Sequence, residues 1–372
     1  MRLMISGGGT GGHTSPAVAV LQELQRRDPR LVVQWVGARG KIEQRVSANA
    51  GVAFRSLRVR PWPRSHPAKK LWTALVLAVA VVRSAVLLLR FGPDVVLGVG
   101  GYVSVPLVWT AQRMGILTVL HEQNKRMGLA NQLLARRADR VFLSYENTQG
   151  VFDPERARLV GNPVRNEFLR PPQREHACAE FGLDPNRRVV LVCGGSQGAH
   201  SINDAVAAML PAVQTREFQL LWMTGQSGVT EARKRAEGAP VPVHVRAFIN
   251  EMAAACSAAD LIISRAGASM TAEIAALGKP SVLIPYPHAA EGHQEDNARA
   301  FETAGAAKVI LDNDLTAEVL LAKIRSLFND PATLEAMSRA AAAFAKPAAG
   351  DLIAGDILGL VFKSGPSQRA AL

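Results

Sequence analysis

The chain has 372 residues, 48% hydrophobic and 20% charged, which excludes wholesale disorder and leaves room for two sizeable cores. Three distant cysteines, Cys178, Cys193 and Cys256, fit neither a disulfide framework nor a paired metal site and point to a reducing compartment. The net charge of +12 is concentrated in one half: residues 1–170 carry 25 Lys/Arg against 10 Asp/Glu, residues 171–372 carry 18 against 21.

Residues 1–6 form an apolar burst that runs straight into glycines. It is too short for a secretory signal, so a cytoplasmic location is expected. The run 3–6 leads into Gly7-Gly8-Gly9-Thr10-Gly11-Gly12 and a helical pattern over 17–24; the run 189–193 leads into Gly194-Gly195-Ser196-Gln197-Gly198 and a helical pattern over 202–210. The two match at an offset of 186 residues, so each half opens like a nucleotide-binding strand, glycine turn and helix. Apolar runs at 31–36, 95–99, 118–120, 141–143, 220–223, 261–264 and 281–285 read as buried parallel strands alternating with helices, an α/β chain with two sheets. Arg170-Pro171-Pro172 breaks the pattern and reads as the linker, 351–362 as a last helix, and the tail from Ser364 as loose.

Between Glu43 and Asp94 there is no acidic residue, but nine basic ones: Arg45, Arg55, Arg58, Arg60, Arg64, Lys69, Lys70, Arg83 and Arg90. This half is expected to face something anionic, whether nucleic acid, phospholipid or a phosphorylated substrate. Within it, residues 71–89 are nearly all apolar and about as long as a membrane span. Arg83 argues against a span, at about 2.5–3.5 kcal/mol for a charge at a helix centre. Two readings remain. The helix is buried under the sheet, or it has one face on the sheet and one on a membrane, which Trp62, Lys69, Lys70, Trp72 and Arg90 favour.

The first glycine turn satisfies GxGxxG, with glycines that let backbone N–H groups approach an anion at a helix start. An NAD site needs an acidic residue closing the second strand, and Gly37, Ala38 and Arg39 stand there instead; NADP, with Arg39 on the 2′-phosphate, stays open. His13 is a candidate general base beside such a loop, or a structural, ligand-orienting residue. Gly98-Val99-Gly100-Gly101-Tyr102-Val103-Ser104 is a second glycine turn for an anionic ligand, with Tyr102 and Ser104 as contacts. His121-Glu122-Gln123-Asn124, polar at a strand's carboxyl end, points to substrate. Arg165, in Gly161-Asn162-Pro163-Val164-Arg165, suits a pyrophosphate or a surface ion pair. Glu273 is expected in the first turn of the helix after Ser264-Arg265-Ala266-Gly267, ordinary dipole chemistry or a ribose contact. His293-Gln294-Glu295-Asp296-Asn297 opens another helix with amides suited to sugar hydroxyls. Asp312-Asn313-Asp314 has a metal-binding DxD spacing, but helix capping explains it better, and no metal site is expected.

Six motifs in one order carry a resemblance: GGGTGGH, GVGGYVS, HEQN, GNPVR, GGSQGA, and RAGASMTAE with HQEDN. Over about residues 1–345 the sequence resembles the MurG family, bacterial N-acetylglucosaminyltransferases that convert lipid I to lipid II in peptidoglycan synthesis. The resemblance implies two Rossmann-like parallel-sheet domains facing a cleft (GT-B type). Residues 1–165 are the acceptor- and membrane-facing domain, onto which a helix at about 350–363 packs back; residues 166–345 bind the UDP-sugar. It implies UDP-N-acetylglucosamine, lipid I (undecaprenyl-pyrophosphoryl-muramyl-pentapeptide) and an anionic phospholipid surface as partners, with no cofactor and no nucleic acid. The location is then peripheral, on the cytoplasmic face of the cell membrane.

By motif, Ser196 would contact donor phosphate, backbone at Ile249 the uracil, Glu273 the ribose, and Ala268 and Gln294 the sugar hydroxyls. Ser269, Met270, Thr271 and Ala272 belong to the same donor run; Thr10, Gly11, Gly12, Asn124 and Arg165 complete the site, and Asn297 matches the pattern. His293 and the pair Lys125-Arg126 depart from it. The implied reaction is an inverting, metal-independent displacement with His13 as base and Glu122 behind it. An NADP-dependent oxidoreductase and a non-enzymatic basic binder are the competing classes.

Overall fold

The computed structural model describes residues 1–9, 11–61, 67–195, 197–289 and 292–363, with the backbone alone at 67–69. The chain divides into two units, residues 1–165 with 346–372, and residues 166–345. The division falls at Arg165, not at Arg170-Pro171-Pro172; the two prolines instead separate two short helices inside the second unit. The tail from Ser364 lies outside the described residues.

Unit 1 carries strands β1 (Arg2–Ser6), β2 (Val32–Ala38), β3 (Ala53–Leu57), β4 (Val95–Gly98), β5 (Leu117–Glu122), β6 (Arg140–Leu143) and β7 (Ala157–Leu159). Helices α1 (Gly11–Arg27), α2 (Ile42–Asn49), α3 (Pro67–Phe91), α4 (Ser104–Arg113) and α5 (Leu129–Ala135) connect them. Every pairing is parallel, in the order β3-β2-β1-β4-β5-β6-β7. Successive strand side chains point to opposite faces. Leu3 and Ile5 therefore pack with Val20, Leu21 and Leu24 of α1, while Met4 between them packs with Leu88 of α3 and Leu107 of α4.

Unit 2 carries helices α6 (Asn166–Leu169), α7 (Arg174–Phe181), α8 (His200–Met209), α9 (Val229–Ala236), α10 (Met252–Ala258), α11 (Ala268–Ala276), α12 (His293–Thr303), α13 (Ala317–Phe328) and α14 (Pro331–Phe344). Its strands are β8 (Val189–Cys193), β9 (Gln219–Met223), β10 (Val243–Arg246), β11 (Leu261–Ser264), β12 (Ser281–Leu283) and β13 (Ala307–Val309), all parallel in the order β10-β9-β8-β11-β12-β13. The six-strand order repeats that of unit 1, so the internal sequence repeat is a repeat of topology. The last helix, α15 (Ala349–Lys363), belongs to unit 1, where Ile353, Ala354 and Ile357 join the core around Leu3 and α1.

Helix α3 is not buried all round. Thr73, Ala80, Ser84 and Leu88 are its buried face, at helical spacing. Leu71, Trp72, Leu75, Val79, Val82, Val86 and Leu89 form an opposite stripe, exposed by 42–72%. That excludes the wholly buried reading. Lys70, Arg83 and Arg90 are also exposed, whereas Trp62, Arg64 and the Lys69 side chain lie outside the described residues. Residues 70–91 are long and apolar enough to cross a membrane by length and composition, but one face packs on unit 1.

Candidate functional site

In each unit the strand order reverses between the first strand and its outer neighbour, β1|β4 and β8|β11. Loops at the carboxyl ends of such strands diverge, and ligands of open α/β sheets collect there. In unit 1 the turns after β1 and β4 interlock. A Cβ on Gly101 (φ +81°) would stand 2.6 Å from Gly8 O, and one on Gly7 2.4 Å from Val99 Cγ2. Only glycine permits that approach.

The first turn does not offer its backbone freely to an anion. Glu43, fully buried on α2, accepts from Gly9 N (2.9 Å) and from Ala38 N at the end of β2 (2.9 Å). The acidic residue missing from the end of β2 in sequence is thus supplied from five residues further on, but it binds the protein's own N–H groups. A dinucleotide pyrophosphate there would have to displace it and meet its charge. Thr10 lies outside the described residues; Gly11, Gly12 and His13 begin α1.

His13 Nδ1 lies 3.1 Å from Val99 O and against the Gln123 amide. A carbonyl partner requires the proton on Nδ1. A protonated Nδ1 cannot also accept from an amide nitrogen, and Gln123 Oε1 has no other partner among the described residues. The amide therefore serves the ring through its oxygen, and the neutral ring keeps its lone pair on Nε2.

Glu122 does not stand behind His13 as expected. It is 1% exposed, and its oxygens accept from Asn124 N (3.0 Å), Asn124 Nδ2 (3.1 Å), Gly128 N (3.0 Å) and Asn131 Nδ2 (2.9 Å). Burial pushes its pKa up against those donors. A carboxylate so enclosed holds the 123–128 loop and with it Asn124; it is a positioning residue, and the residue on His13 is Gln123. Ser104 is likewise corrected: it is buried and its hydroxyl donates to Gly101 O (2.8 Å), shaping the turn. Tyr102 stands half-buried above Gly9, its phenol pKa raised by burial and by the Glu43 charge. Arg165 is the last residue before the division between the units, and Lys125-Arg126 sits in the 123–128 loop, with Arg126 exposed.

His121 is fully buried, its Nε2 against Gly161 O (3.3 Å) and its Nδ1 without a partner among the described residues. Burial lowers its pKa from 6.5 to about 4, so the ring is neutral at pH 7. The unfolded chain binds this proton below about pH 6.5 and the folded chain only below about 4. Stability is therefore full above pH 6.5 and is lost as pH falls towards 4, by on the order of 3 kcal/mol. Melting temperature against pH should fall over that window, and His121→Gln should flatten the slope; an unchanged slope would assign the acid sensitivity elsewhere.

In unit 2 the turn after β8 packs against the chain after β9, where a Cβ on Gly198 (φ +78°) would stand 2.2 Å from Thr224 O. Ser196 lies outside the described residues. After β11, Gly267 caps α11 and the 268–273 run follows: Ala268, Ser269 and Thr271 are buried, Met270 and Ala272 partly so. Thr271 Oγ1 bonds Ala268 O (3.0 Å) within the helix. Glu273 falls in the second turn of α11, not the first; it is 5% exposed and close enough to buried Cys193 to help burial push that thiol up to about 12. Gln294 on α12 accepts from Tyr286 N (3.0 Å), and buried Asn297 donates to Ala266 O (3.3 Å), fixing α12 on the turn after β11. His293 is the first residue of α12, and Ile249 is buried in the loop after β10.

Neither aspartate of the 312–314 run caps α13; Thr316 does, accepting from Val319 N (3.2 Å). Asp312 instead bonds Arg265 Nη1 (2.5 Å) and Ser201 Oγ (2.7 Å), and Arg265 also donates to Ile284 O and Pro285 O. Sequence reasoning missed this cluster and Glu43, because each joins residues far apart in the chain or side chain to backbone, which no local spacing records.

A family model for the glycosyltransferase family 28 N-terminal domain matches residues 3–143, and one for the family 28 C-terminal domain matches 189–353. A protein of Desulforudis audaxviator is 41% identical over 365 residues, 95% of this chain and 96% of its own; one of Exiguobacterium sp. is 39% identical over 355, 95% and 98%. Both are named UDP-N-acetylglucosamine–N-acetylmuramyl-(pentapeptide) pyrophosphoryl-undecaprenol N-acetylglucosamine transferase. The crystal structure of MurG from Acinetobacter baumannii is similar at TM-score 0.76 and 28% identity, covering 96% of this chain and 99% of that one. A UDP-GlcNAc 2-epimerase from Neisseria meningitidis, bound to UDP-GlcNAc, shares the fold at TM-score 0.69 and 15% identity, over 96% of this chain and all of that one. The NADP oxidoreductase reading of the first glycine turn and Arg39 is set aside on these matches and on the carboxylate beneath that turn. The chain has two Rossmann-like parallel-sheet domains of the GT-B type, and it belongs to the MurG family of N-acetylglucosaminyltransferases within glycosyltransferase family 28.

Proposed function

We propose that this protein transfers N-acetylglucosamine from UDP-N-acetylglucosamine to the muramyl 4-hydroxyl of undecaprenyl-pyrophosphoryl-N-acetylmuramyl-pentapeptide, converting lipid I to lipid II. The observation that carries the reading is the near-full-length match to relatives named for that transfer. Unit 2 takes the donor: the glycine turn after β8 with Ser196 on phosphate, backbone at Ile249 on uracil, Glu273 on the ribose, and the start of α11 with Gln294 on the sugar. Unit 1 takes the acceptor beside His13 and Tyr102, with Thr10, Gly11, Gly12, Asn124 and Arg165 as its own candidate substrate contacts by motif. The protein works as a peripheral enzyme on the cytoplasmic face of the membrane, through the exposed stripe of α3.

The acceptor hydroxyl attacks the anomeric carbon opposite UDP. The new C–O bond forms as the bond to the UDP oxygen breaks, the hydroxyl proton passes to His13 Nε2, and UDP leaves with the bonding electrons. Backbone N–H groups at the α11 start and the glycine turn stabilise charge developing on the β-phosphate. The reading gives no role to a metal: Asp312, one of the two aspartates of the DxD spacing, is engaged by Arg265 and Ser201. With sugar-labelled donor and lipid I in EDTA, label is expected in the lipid fraction; label left wholly water-soluble both in EDTA and with divalent ion added refutes the transfer. Transfer lost in EDTA and restored only by a divalent ion refutes its metal independence.

Glu273→Ala is expected to weaken donor binding about 10–100-fold, because it strips a buried acceptor from the ribose hydroxyls. Titration of donor without acceptor checks this; an unchanged donor constant with collapsed turnover would make Glu273 catalytic instead.

A further inference from the structure

Beside the first glycine turn of unit 1 opens a cavity of about 440 Å³. It lies at the carboxyl ends of β2, β3 and β4, the side of the sheet where ligands collect. Arg39, Lys41, Arg58 and Arg60 line it together with Trp72 and Tyr102. Its size is that of a small-molecule site.

The four cations are exposed, and none has an acidic partner among the described residues. Residues 44–93, which include Arg58 and Arg60, carry no Asp or Glu. Glu43 itself is bound to Gly9 N and Ala38 N. Four like charges around one cavity repel each other unless an anion sits among them, and guanidinium groups pair with phosphate oxygens two at a time. The remaining wall is apolar. Trp72, 56% exposed, opens onto the α3 stripe that continues through Leu75, Val79 and Val82. Tyr102 borders both the cavity and Gly9, where a Cβ would stand 4.0 Å from its ring. Four cations at one end, an apolar track leading away and the candidate catalytic turn at the other side together fit an amphiphile with a phosphorylated head.

We propose that this cavity binds the diphosphate and first isoprene units of the lipid-linked acceptor, the diphosphate on Arg39, Lys41, Arg58 and Arg60 and the chain leaving over Trp72 along α3. The identity of that lipid rests on the transfer reading; the preference for a prenyl diphosphate rests on the cavity's own residues.

The test uses the full chain and farnesyl diphosphate, with farnesol, inorganic pyrophosphate and phosphatidylglycerol as comparison ligands, followed by titration calorimetry. Farnesyl diphosphate is expected to bind at least tenfold more tightly than the other three. Arg58→Glu with Arg60→Glu should weaken it at least tenfold and raise the acceptor KM, leaving donor KM and kcat at saturating acceptor unchanged. Arg233→Glu with Lys234→Glu, the same charge change on α9 of unit 2, should do neither. Trp72→Ala, which removes apolar wall and no charge, should weaken farnesyl diphosphate and leave pyrophosphate as it was; it serves if the double variant fails to fold. Equal affinity for pyrophosphate would make this a free-anion site, and equal affinity for phosphatidylglycerol a bilayer-lipid site; either overturns the proposal. Transfer that persists in the double variant with an unchanged acceptor KM overturns the cavity and leaves the transfer reading standing. Farnesyl diphosphate bound as expected by a chain without transfer activity does the reverse.

Discussion

His13→Ala is expected to lower kcat by about 10²–10⁴, the usual worth of a positioned general base, while the donor constant stays within about threefold. The expectation rests on the tautomer. Val99 O, 3.1 Å away, takes the Nδ1 proton and Gln123 shares it, so the ring presents Nε2 as a lone pair. Gln123 supplies a second check that a packing role would not pass. Gln123→Leu removes an acceptor that stabilises the charged ring, so the acid limb of kcat/KM should move to lower pH. Gln123→Glu puts a carboxylate on the ring and should move that limb to higher pH. Opposite shifts identify the group titrating in that limb as His13. If His13→Ala keeps kcat within tenfold of the parent, another group takes the proton; Glu122, with both oxygens bonded to N–H donors, is not available for it.

Leu75→Glu with Val79→Glu is expected to abolish flotation with anionic vesicles. Both side chains lie in the exposed α3 stripe, 54% and 68% exposed, and touch no core that the change would break. Burying one such side chain stabilises by roughly 1.5–3 kcal/mol, so losing two costs about 3 kcal/mol or more, at least about 100-fold in partition, before the expense of bringing two carboxylates to an anionic surface. Lys70→Glu with Arg83→Glu and Arg90→Glu acts through the other half of the attraction, about 1 kcal/mol for each charge that reaches the surface. The two halves separate with salt. Charge attraction fades as the Debye length drops to about 3 Å at 1 M, whereas apolar burial persists, so the parent should be released only in part. A stripe variant that floats like the parent would show that α3 does not dock the membrane.

The contrast between what was legible and what was not follows burial. Central strands read as continuous apolar runs because both faces are covered by helices. The four strands not anticipated, β3, β7, β10 and β13, are the four sheet edges, where partly exposed residues interrupt the apolar run. Helix α3 shows the complementary failure. Its sequence is apolar on every side, so periodicity does not tell a buried helix from a half-exposed one. The packing does: α3 lies against α4 and β3, and the small residues Thr73, Ala80 and Ser84 are among those it buries.

The sequence by itself determined the α/β class, the twofold repeat of strand, glycine turn and helix, the basic half and the family, because each is written in local order: runs, turns and motifs. The tertiary structure decided the roles of polar residues. Glu43 reaches Gly9 across 34 positions, Gln123 reaches His13 across 110, and Asp312 reaches Ser201 across 111. A buried polar atom must find a partner wherever the fold brings one, and strand order, not sequence distance, sets which partner that is.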